Sequence, residues 1–347
     1  MSRRRTHIAI GVAAVLGLAV TDPVGATPTA ESVRIAGPDR YETSHNVAAS
    51  AWEGRTVNVA VLATGDAFAD ALASSYLAGA LESPILLNGA TSMDPGLPLA
   101  LDAIGAEGVQ VIGGTGAMSD QVLEDIERAG YTTTRLAGGN RFATARAVAE
   151  ILPPEAIGEY NLRGRTAILA NGLSFADALA AGPMSYSQGW PILLTTSDSL
   201  HAEAGAAIEN LDIAHVIVVG GTAAVSDAVL GALNAVGVTT ERLAGADRTI
   251  TAHAIANFAV AELGYGAEDM IIARGDAFPD ALPAAARGGD EVMPILLTVS
   301  NVEMGPSVAA FISDHVATME RIEVFGGTGA ISEGIANRAQ SLARGEP

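Results

Sequence analysis

Four short segments recur three times along this chain of 347 residues, always in the same order and about 100 residues apart. The first places two arginines around a glycine turn and reads RIAGPDR from Arg34, RLAGGNR from Arg135 and RLAGADR from Arg242. The others read GDAFADAL, GLSFADAL and GDAFPDAL from Gly65, Gly172 and Gly275; PILL from Pro84, Pro191 and Pro294; and GGTGAMS, GGTAAVS and GGTGAIS from Gly113, Gly220 and Gly326. Such a period restricts the chain to one structural unit built three times.

The repeats occupy nearly the whole sequence. We place repeat 1 at residues 34–134, repeat 2 at 135–241 and repeat 3 at 242–347, after a short N-terminal segment at 27–33. These stretches leave no linker between them, so we expect no separate catalytic domain within this sequence.

Each repeat alternates short runs rich in β-branched residues with longer runs rich in alanine and leucine. In repeat 1, NVAVLATG, SPILLN and GVQVIGG are of the first kind, and FADALASSYLAGAL is of the second. The short runs are apolar throughout, which is typical of parallel strands covered by helices on both faces. We therefore predict an α/β fold made of three tandem small parallel-sheet repeats. The PILL strands are expected to be buried centrally rather than at a sheet edge.

The position of the repeated segments predicts where a site lies. In a parallel sheet, the loops that leave the carboxyl ends of the strands carry the functional residues. Every repeated segment except the start of PILL falls on such a loop. We expect these residues to converge on one edge of the molecule.

The chain begins with a basic and then apolar stretch, MSRRRTHIAIGVAAVLGLAV. Its apolar run from Ile8 to Val20 is shorter than the ~20 residues of a spanning helix, and VGA, ending at Ala26, offers small residues for cleavage. We therefore predict a signal peptide at residues 1–26 and export, rather than a membrane anchor, and we expect no stable membrane span elsewhere.

Composition excludes several kinds of site. The net charge is −20 and no basic run follows the first few residues, so nucleic acid is not an expected partner. The absence of cysteine excludes disulfides, thiolate nucleophiles and cysteine-ligated zinc. Lysine is absent too, so every cationic contact is made by a planar guanidinium that can bind in a bidentate manner.

Together and in this order, the four segments resemble the cell wall-binding repeat 2 family of bacterial surface proteins, over the whole chain from residue 34. The resemblance implies three repeats packed compactly with pseudo-threefold symmetry. It also implies noncovalent binding to an anionic cell-wall polysaccharide, teichoic-acid-like or similar, at the surface of Gram-positive bacteria. We therefore expect a secreted protein of the cell wall or cell surface, without a cofactor or a metal.

The expected site combines arginines, aspartates and glycine turns. For the second arginine of each segment two accounts are open, because it can pair with the repeated aspartates or face an anionic ligand. The first arginine, which ends a strand, is a similar candidate. The glycine pairs favour tight strand-to-helix packing, and their backbone N–H groups can also hold an anion. The candidate ligand-binding residues are Arg34, Arg40, Arg135, Arg141, Arg242, Arg248, Asp70, Asp177, Asp280, Gly114, Gly221 and Gly327.

Several repeated polar residues also have a purely structural interpretation. Asp39, Asn140 and Asp247 each follow a glycine turn and precede an alanine-rich run, which predicts helix N-caps. The repeated aspartates fall in the first turn of a helix, where the dipole favours an anion. The serines that end the glycine loops are further predicted N-caps; they are Ser119, Ser226 and Ser332.

Catalysis receives little support from the sequence. The glycine loops lack the spacing and the lysine of nucleotide-binding motifs, and no HExxH or GxSxG motif is present. We expect a binding protein and not an enzyme. Two alternatives stay open: a cell-wall hydrolase, either an amidase or a glycosidase, and a self-assembling surface-layer-like subunit.

Overall fold

The computed structural model of the chain describes residues 30–174, 176–277 and 279–346. The predicted signal peptide at 1–26 lies outside these residues. Within the described ranges, every helix is too short or too polar to cross a bilayer.

The first described element is strand β1 (Glu31–Ile35), which is followed by three units of alternating helices and strands. Unit 1 comprises α1 (Arg40–Trp52), β2 (Val59–Thr64), α2 (Ala69–Ala80), β3 (Ile85–Asn88), α3 (Leu97–Ala103), β4 (Gly108–Ile112), α4 (Asp120–Arg128) and β5 (Thr132–Leu136). Unit 2 comprises α5 (Arg141–Glu150), a 3₁₀ turn (Pro154–Ala156), β6 (Thr166–Asn171), α6 (Ala176–Leu179), α7 (Gly182–Gln188), β7 (Ile192–Thr195), α8 (Ala202–Asn210), β8 (His215–Val219), α9 (Asp227–Ala235) and β9 (Thr239–Leu243). Unit 3 comprises α10 (Arg248–Glu262), β10 (Asp269–Arg274), α11 (Ala281–Asp290), β11 (Ile295–Thr298), α12 (Pro306–Asp314), β12 (Arg321–Phe325) and α13 (Glu333–Ala343).

Each unit is built on a parallel sheet of four strands, and the strand order is the same in all three. The orders are β3-β2-β4-β5, β7-β6-β8-β9 and β11-β10-β12-β1. The predicted α/β fold of three parallel-sheet repeats is therefore confirmed. The sheets divide the chain just after the first arginine of each repeated segment, a few residues later than the sequence periods do.

Strand β1 is the fourth strand of the third sheet. β1 pairs in parallel with β12, with Val33 opposite Glu323 and Arg34 opposite Val324. The N-terminal strand thus supplies unit 3 with the fourth strand that β5 and β9 supply to units 1 and 2. This pairing closes the three units into a ring.

The central helices α2, α7 and α11 pack against one another around the pseudo-threefold axis. Small residues allow the close approach. A Cβ atom added to Gly182 would lie 2.4 Å from Cβ of Ala285 and 3.4 Å from Oγ of Ser75, so all three helices meet at this glycine. The alanine-rich composition of the long runs follows from this packing.

The PILL strands are buried, as predicted, but their expected central position is wrong. Ile85, Ile192 and Ile295 are each 1% exposed, yet β3, β7 and β11 are edge strands. Helices of neighbouring units cover these edges, with α11 beside β3 and α2 beside β7. The strands are apolar throughout because a second unit, and not a second strand, packs against them.

The pairing of β1 with β12 predicts which backbone N–H groups of β1 stabilise the fold. Glu31 N donates to Glu320 O and Gly326 N donates to Ile35 O, so alternate residues of β1 face β12. By this alternation Val33 N–H points toward β12 and Ser32 N–H points away. Val33→Pro is expected to lower the free energy of unfolding by roughly 1–3 kcal/mol, measured by urea unfolding. Ser32→Pro is the matched control, and an equal loss in both variants would contradict the closure.

Candidate functional site

Residues of two neighbouring units meet at each junction of the ring, at the carboxyl edge of the sheets. One unit contributes its repeated aspartate (Asp70, Asp177 or Asp280) and its glycine-pair loop. The next unit contributes the glycine turn and the start of its first helix. We call these junctions the first groove (units 1 and 2), the second groove (units 2 and 3) and the third groove (units 3 and 1). The predicted convergence of the repeated segments thus occurs between units.

The second and third grooves form open cavities of about 340 and 360 Å³. Such volumes lie at the lower end of the range of small-ligand sites, about 300–1,000 Å³. The second groove is lined by residues that include Asp177, Gly221, Gly245, Asp247, Arg248 and Thr251. The third groove is lined by residues that include Asp39, Arg40, Thr43, Arg274, Asp280 and Gly327.

The second arginine of each repeated segment begins the first helix of its unit and binds a backbone carbonyl. Among the described residues none of these three arginines forms an ion pair with a carboxylate, so the predicted Arg–Asp bridge is not made directly. One hydrogen bond uses one of the five guanidinium N–H donors, and the others are left for further contacts. The bonds run from Nη1 of Arg40 to Gly65 O (2.6 Å), of Arg141 to Gly172 O (2.9 Å) and of Arg248 to Gly275 O (3.0 Å).

The aspartate of each groove is a largely buried carboxyl group. Burial raises the pKa of Asp70, Asp177 and Asp280. A threonine hydroxyl and an arginine of the next unit offset part of this rise, and Thr251 and Arg248 do so for Asp177. Oδ1 of Asp70 is buried without a hydrogen-bond partner. Carboxyl groups of this kind take up a proton more readily than ordinary aspartates, which weakens their repulsion of an anion.

The first arginine of each segment holds the glycine loop of the sheet to which its own strand belongs. Its Nη1 donates to a loop carbonyl at 2.7–2.8 Å, and its Nη2 lies 3.1–3.3 Å from a carboxylate on the helix that follows the loop. The side chain is about 20% exposed in each case. The contacts join Arg34 to Gly326 and Glu333, Arg135 to Gly113 and Asp120, and Arg242 to Gly220 and Asp227.

The two glycines of each loop serve different purposes. Gly220 has a φ of 102°, and a Cβ there would lie 2.7 Å from Oδ2 of Asp177. The position therefore requires glycine for both backbone and space. A Cβ on Gly221 would have Gly245 O as its nearest neighbour at 3.7 Å, an ordinary contact at the groove wall. Gly327 lines the third groove in the same place.

The predicted aspartate and asparagine N-caps are confirmed. Oδ1 of Asp39, Asn140 and Asp247 accepts hydrogen bonds from two backbone N–H groups of the helix that follows. The serines occupy N-cap positions, but only Ser332 caps with its hydroxyl. The capping prediction is wrong for the hydroxyls of Ser119 and Ser226, which make no cap hydrogen bond and are buried without a partner among the described residues.

Three buried threonines were missed by the sequence analysis. Thr43, Thr144 and Thr251 lie three residues after the second arginine in every repeat. Each hydroxyl accepts a hydrogen bond from the turn glycine at 3.0–3.1 Å, and each threonine acts to lower the pKa of the aspartate of the preceding unit. The signal that could have found them is their identity at one position of all three repeats.

The three units differ near the grooves at positions where the repeats differ. In unit 1, Tyr41 donates to Oδ1 of Asp66 at 3.0 Å, a bond that joins the helix start to the loop. In unit 2, Leu173 replaces that aspartate and is 65% exposed. In unit 3, Thr249 replaces the aromatic residue and donates to its own N-cap, Asp247, at 2.7 Å. Across the described residues, no group of three or more histidine, aspartate or glutamate side chains could hold a metal ion.

The family model for Cell wall binding domain 2 (CWB2) matches the chain three times, at residues 34–123, 135–230 and 242–336. The chain belongs to this family. The three matches confirm the three copies recognised in the sequence, and membership of the family associates the chain with the cell wall.

Two curated relatives come from Bacillus subtilis (strain 168). The chain is 26% identical to N-acetylmuramoyl-L-alanine amidase LytC over 344 residues, which cover 99% of this chain and 64% of LytC. It is 30% identical to Amidase enhancer over 216 residues, which cover 62% of this chain and 28% of that protein. The chain therefore spans less than two thirds of either relative.

Two solved structures from Clostridium difficile share the fold. Cwp8 superposes with a TM-score of 0.77 and 24% identity, covering 91% of this chain and 52% of its own. Cwp6 superposes with a TM-score of 0.76 and 21% identity, covering 95% of this chain and 51% of its own.

The two loop glycines are expected to respond differently to alanine. Gly220→Ala places a Cβ against Asp177 at a positive φ and should lower the free energy of unfolding by roughly 1–3 kcal/mol. Gly221→Ala meets no close atom and should stay within about 0.5 kcal/mol of wild type. Urea unfolding of both variants measures the difference, and equal stability would contradict the assigned loop geometry.

The raised pKa of Asp177 predicts a pH dependence. The folded chain keeps this proton to higher pH than the unfolded chain, so the stability of wild type falls as pH rises above 3.8, the ordinary value. The Asp177→Asn variant lacks this loss. Its unfolding free energy should therefore increase relative to that of wild type as pH rises above 3.8.

Asp247→Asn is the control with the opposite sign. Although burial acts to raise the pKa of Asp247, hydrogen bonds from Ile250 and Thr249 bring it below 3.8. Wild type therefore gains stability as pH rises toward 3.8. The unfolding free energy of the Asp247→Asn variant should therefore decrease relative to that of wild type as pH rises toward 3.8. Urea unfolding as a function of pH checks both signs, and parallel curves for the two variants would contradict the assignment.

Proposed function

We propose that this chain is a secreted, non-enzymatic protein of the cell surface that binds an anionic cell-wall polymer noncovalently through its three grooves. The observation that carries the proposal is that each junction repeats an arginine, beside a helix N-terminus and an aspartate of raised pKa, whose guanidinium group makes one hydrogen bond to the described residues. Guanidinium groups and helix N-termini both favour phosphate and carboxylate groups.

The overall charge makes local contacts decisive. A chain with a net charge of −20 repels a polyanion at long range, so attraction has to arise where arginines face a ligand at short distance. At about 0.1 M salt, charges separated by more than about 10 Å are largely screened, which reduces the repulsion and leaves contacts in the grooves. Binding to extended polyanions such as nucleic acid, which requires a continuous basic surface, is not favoured.

A ring of three grooves suits a polymer with a repeated charged unit. Each groove is small enough to hold one short part of a chain, and the three are linked through one rigid fold. Occupation of one groove raises the effective concentration of the polymer at the other two. Weak individual contacts then add to a firm attachment without a covalent bond.

Within this proposal, the candidate residues take separate roles. Arg40, Arg141 and Arg248 contact the polymer, and the aspartates adjust the charge of the groove. Gly221 and Gly327 leave room at the wall, as does Gly114 of the first groove. The first arginines, Arg34, Arg135 and Arg242, position the glycine loops.

The proposal predicts that the second arginines act in binding more than in stability. Arg40→Ala, Arg141→Ala and Arg248→Ala each remove one hydrogen bond to a backbone carbonyl and should cost about 1 kcal/mol of unfolding free energy. Affinity for isolated cell walls of Bacillus subtilis should fall about tenfold for each change and further for the triple variant, because linked sites lose avidity. Sedimentation of the protein with walls, with and without added salt, measures the effect.

The matched control is Arg128→Ala, which removes an exposed arginine on α4 that pairs with Asp125 and Glu124. Walls stripped of anionic polymer by acid extraction are the second control, and wild type should no longer sediment with them. A folded triple variant that binds intact walls as tightly as wild type would overturn the assignment of the grooves.

The similarity to LytC gives the hydrolase alternative a direct test. LytC is an amidase, and this chain matches 64% of its length. Release of soluble wall fragments by the pure chain would contradict a purely binding function. Assembly that depends on protein concentration, in the absence of wall material, would favour a surface-layer-like subunit.

A further inference from the structure

The residue just before the GDAFADAL, GLSFADAL or GDAFPDAL segment is different in each unit. It is Thr64 in unit 1, Asn171 in unit 2 and Arg274 in unit 3, at the carboxyl end of strands β2, β6 and β10. In all three units this side chain bonds the residue two positions further along. Only in unit 3 does it also bring a positive charge to the groove.

Thr64 and Asn171 are buried. Thr64 is 1% exposed, and its hydroxyl accepts a hydrogen bond from Asp66 N at 3.1 Å. Asn171 is 7% exposed and bonds Leu173 N, Ser197 Oγ and Ala224 O. Burial keeps both side chains from contact with a ligand in the grooves.

Arg274 keeps part of its guanidinium group uncommitted. Its Nε and Nη2 bond the two carboxylate oxygens of Asp276, and its side chain is 28% exposed. Three of its five N–H donors make no other bond to the described residues. The side chain lines the third groove, and its charge lowers the pKa of Asp280 in that groove, against the larger effect of burial.

The charged lining therefore differs between the grooves. The second groove has one arginine, Arg248, facing Asp177 and Asp247. The third groove has two arginines, Arg40 and Arg274, facing Asp39 and Asp280. Each of these two linings contains two aspartates, so the third groove has one more positive charge along its lining than the second groove.

We propose that the third groove binds the polymer more strongly than the second groove, and that Arg274 makes it so by binding, together with Arg40, one phosphate or carboxylate group of the polymer. This inference rests on the proposed function. The bidentate bond to Asp276 orients the guanidinium plane in advance, so less conformational entropy is lost when the anion binds. The second groove has a single arginine, which lacks such a partner among the described residues.

The test exchanges the unit 3 pair for its unit 2 counterpart. Arg274→Asn combined with Asp276→Leu reproduces Asn171 and Leu173, and it leaves the net charge unchanged. Affinity for isolated Bacillus subtilis walls should fall about tenfold or more, since a charge-assisted contact is lost. The free energy of unfolding is measured in parallel, because a purely structural role for Arg274 would lower stability and leave affinity unaltered.

The matched control removes another Arg–Asp pair without a change in net charge. Arg128→Asn combined with Asp125→Leu does so on α4, away from the grooves, and should leave wall affinity unaltered. Arg274→Lys keeps the charge and loses the bidentate geometry, so its affinity should lie between those of wild type and the double variant. Wild-type affinity in the Arg274→Asn, Asp276→Leu variant would overturn the inference.

A second measurement observes the grooves separately. The Nε–H resonances of Arg40, Arg274 and Arg248 are followed by NMR during titration with glycerol phosphate and, in another sample, with glucuronic acid. Arg40 and Arg274 should shift at about tenfold lower concentration than Arg248, and the more effective probe tells phosphate from carboxylate. Shifts of Arg248 at the same or a lower concentration would overturn the proposed order of sites.

The two proposals fail in distinguishable ways. If the triple arginine variant loses wall binding and the Arg274→Asn, Asp276→Leu variant retains it, the function stands and this inference is wrong. If wild type does not bind walls that carry anionic polymer, the proposed function is wrong and the inference falls with it.

Discussion

The fold depends on the arginine–glycine segment that joins each unit to the next. Its first arginine ends the last strand of one unit, and its second arginine begins the first helix of the following unit. In the segment from Arg135 to Arg141, the first guanidinium binds Gly113 O in unit 1 and the second binds Gly172 O in unit 2. Between them the turn glycine allows the helix start to pack closely, since a Cβ on Gly138 would lie 2.4 Å from Cβ of Ala143. Two arginines surround one turn because two units have to be held there.

The same joint explains why the site lies between units. A parallel sheet places its polar loops at one edge, where the loops of a single unit surround only part of a cavity. The ring brings the helix start of the next unit against that edge, where its threonine and arginine act to lower the pKa of the aspartate of the other unit. The pairing of β1 with β12 completes the third groove in the same way. The groove between units 3 and 1 therefore has the same arrangement as the other two.

The sequence was sufficient for the fold class because continuous apolar strands and glycine-marked loops restrict a repeat of this length to a helix-covered parallel sheet. It was insufficient for strand order, since full burial of Ile85 has the same sequence signature whether a strand or a neighbouring helix covers the edge. It also left two partners open for the second arginines, an aspartate or an anionic ligand, whereas Arg40 bonds a backbone carbonyl that no side-chain pattern reveals. The role of Thr43 escaped because a buried hydroxyl beside the aspartate of another unit leaves only its position in the repeat as a signal.

What distinguishes a structural arginine from a binding arginine in this chain is how much of its guanidinium group the fold already uses. Arg287 is 7% exposed and forms a bidentate pair with Glu323, at 2.7 and 3.1 Å, where the other units carry Leu77 and Met184 in place of the arginine. Loss of one member of such a buried pair leaves an uncompensated charge, which costs about 3–5 kcal/mol, so the two charged residues stay linked and serve the fold. Arg274 is held from one side only and stays near solvent, and its remaining donors point toward a groove that already contains Arg40. The repeats have therefore diverged in two directions within unit 3, toward a buried pair that fixes packing and toward a more exposed pair that adds a guanidinium group to the lining of the third groove.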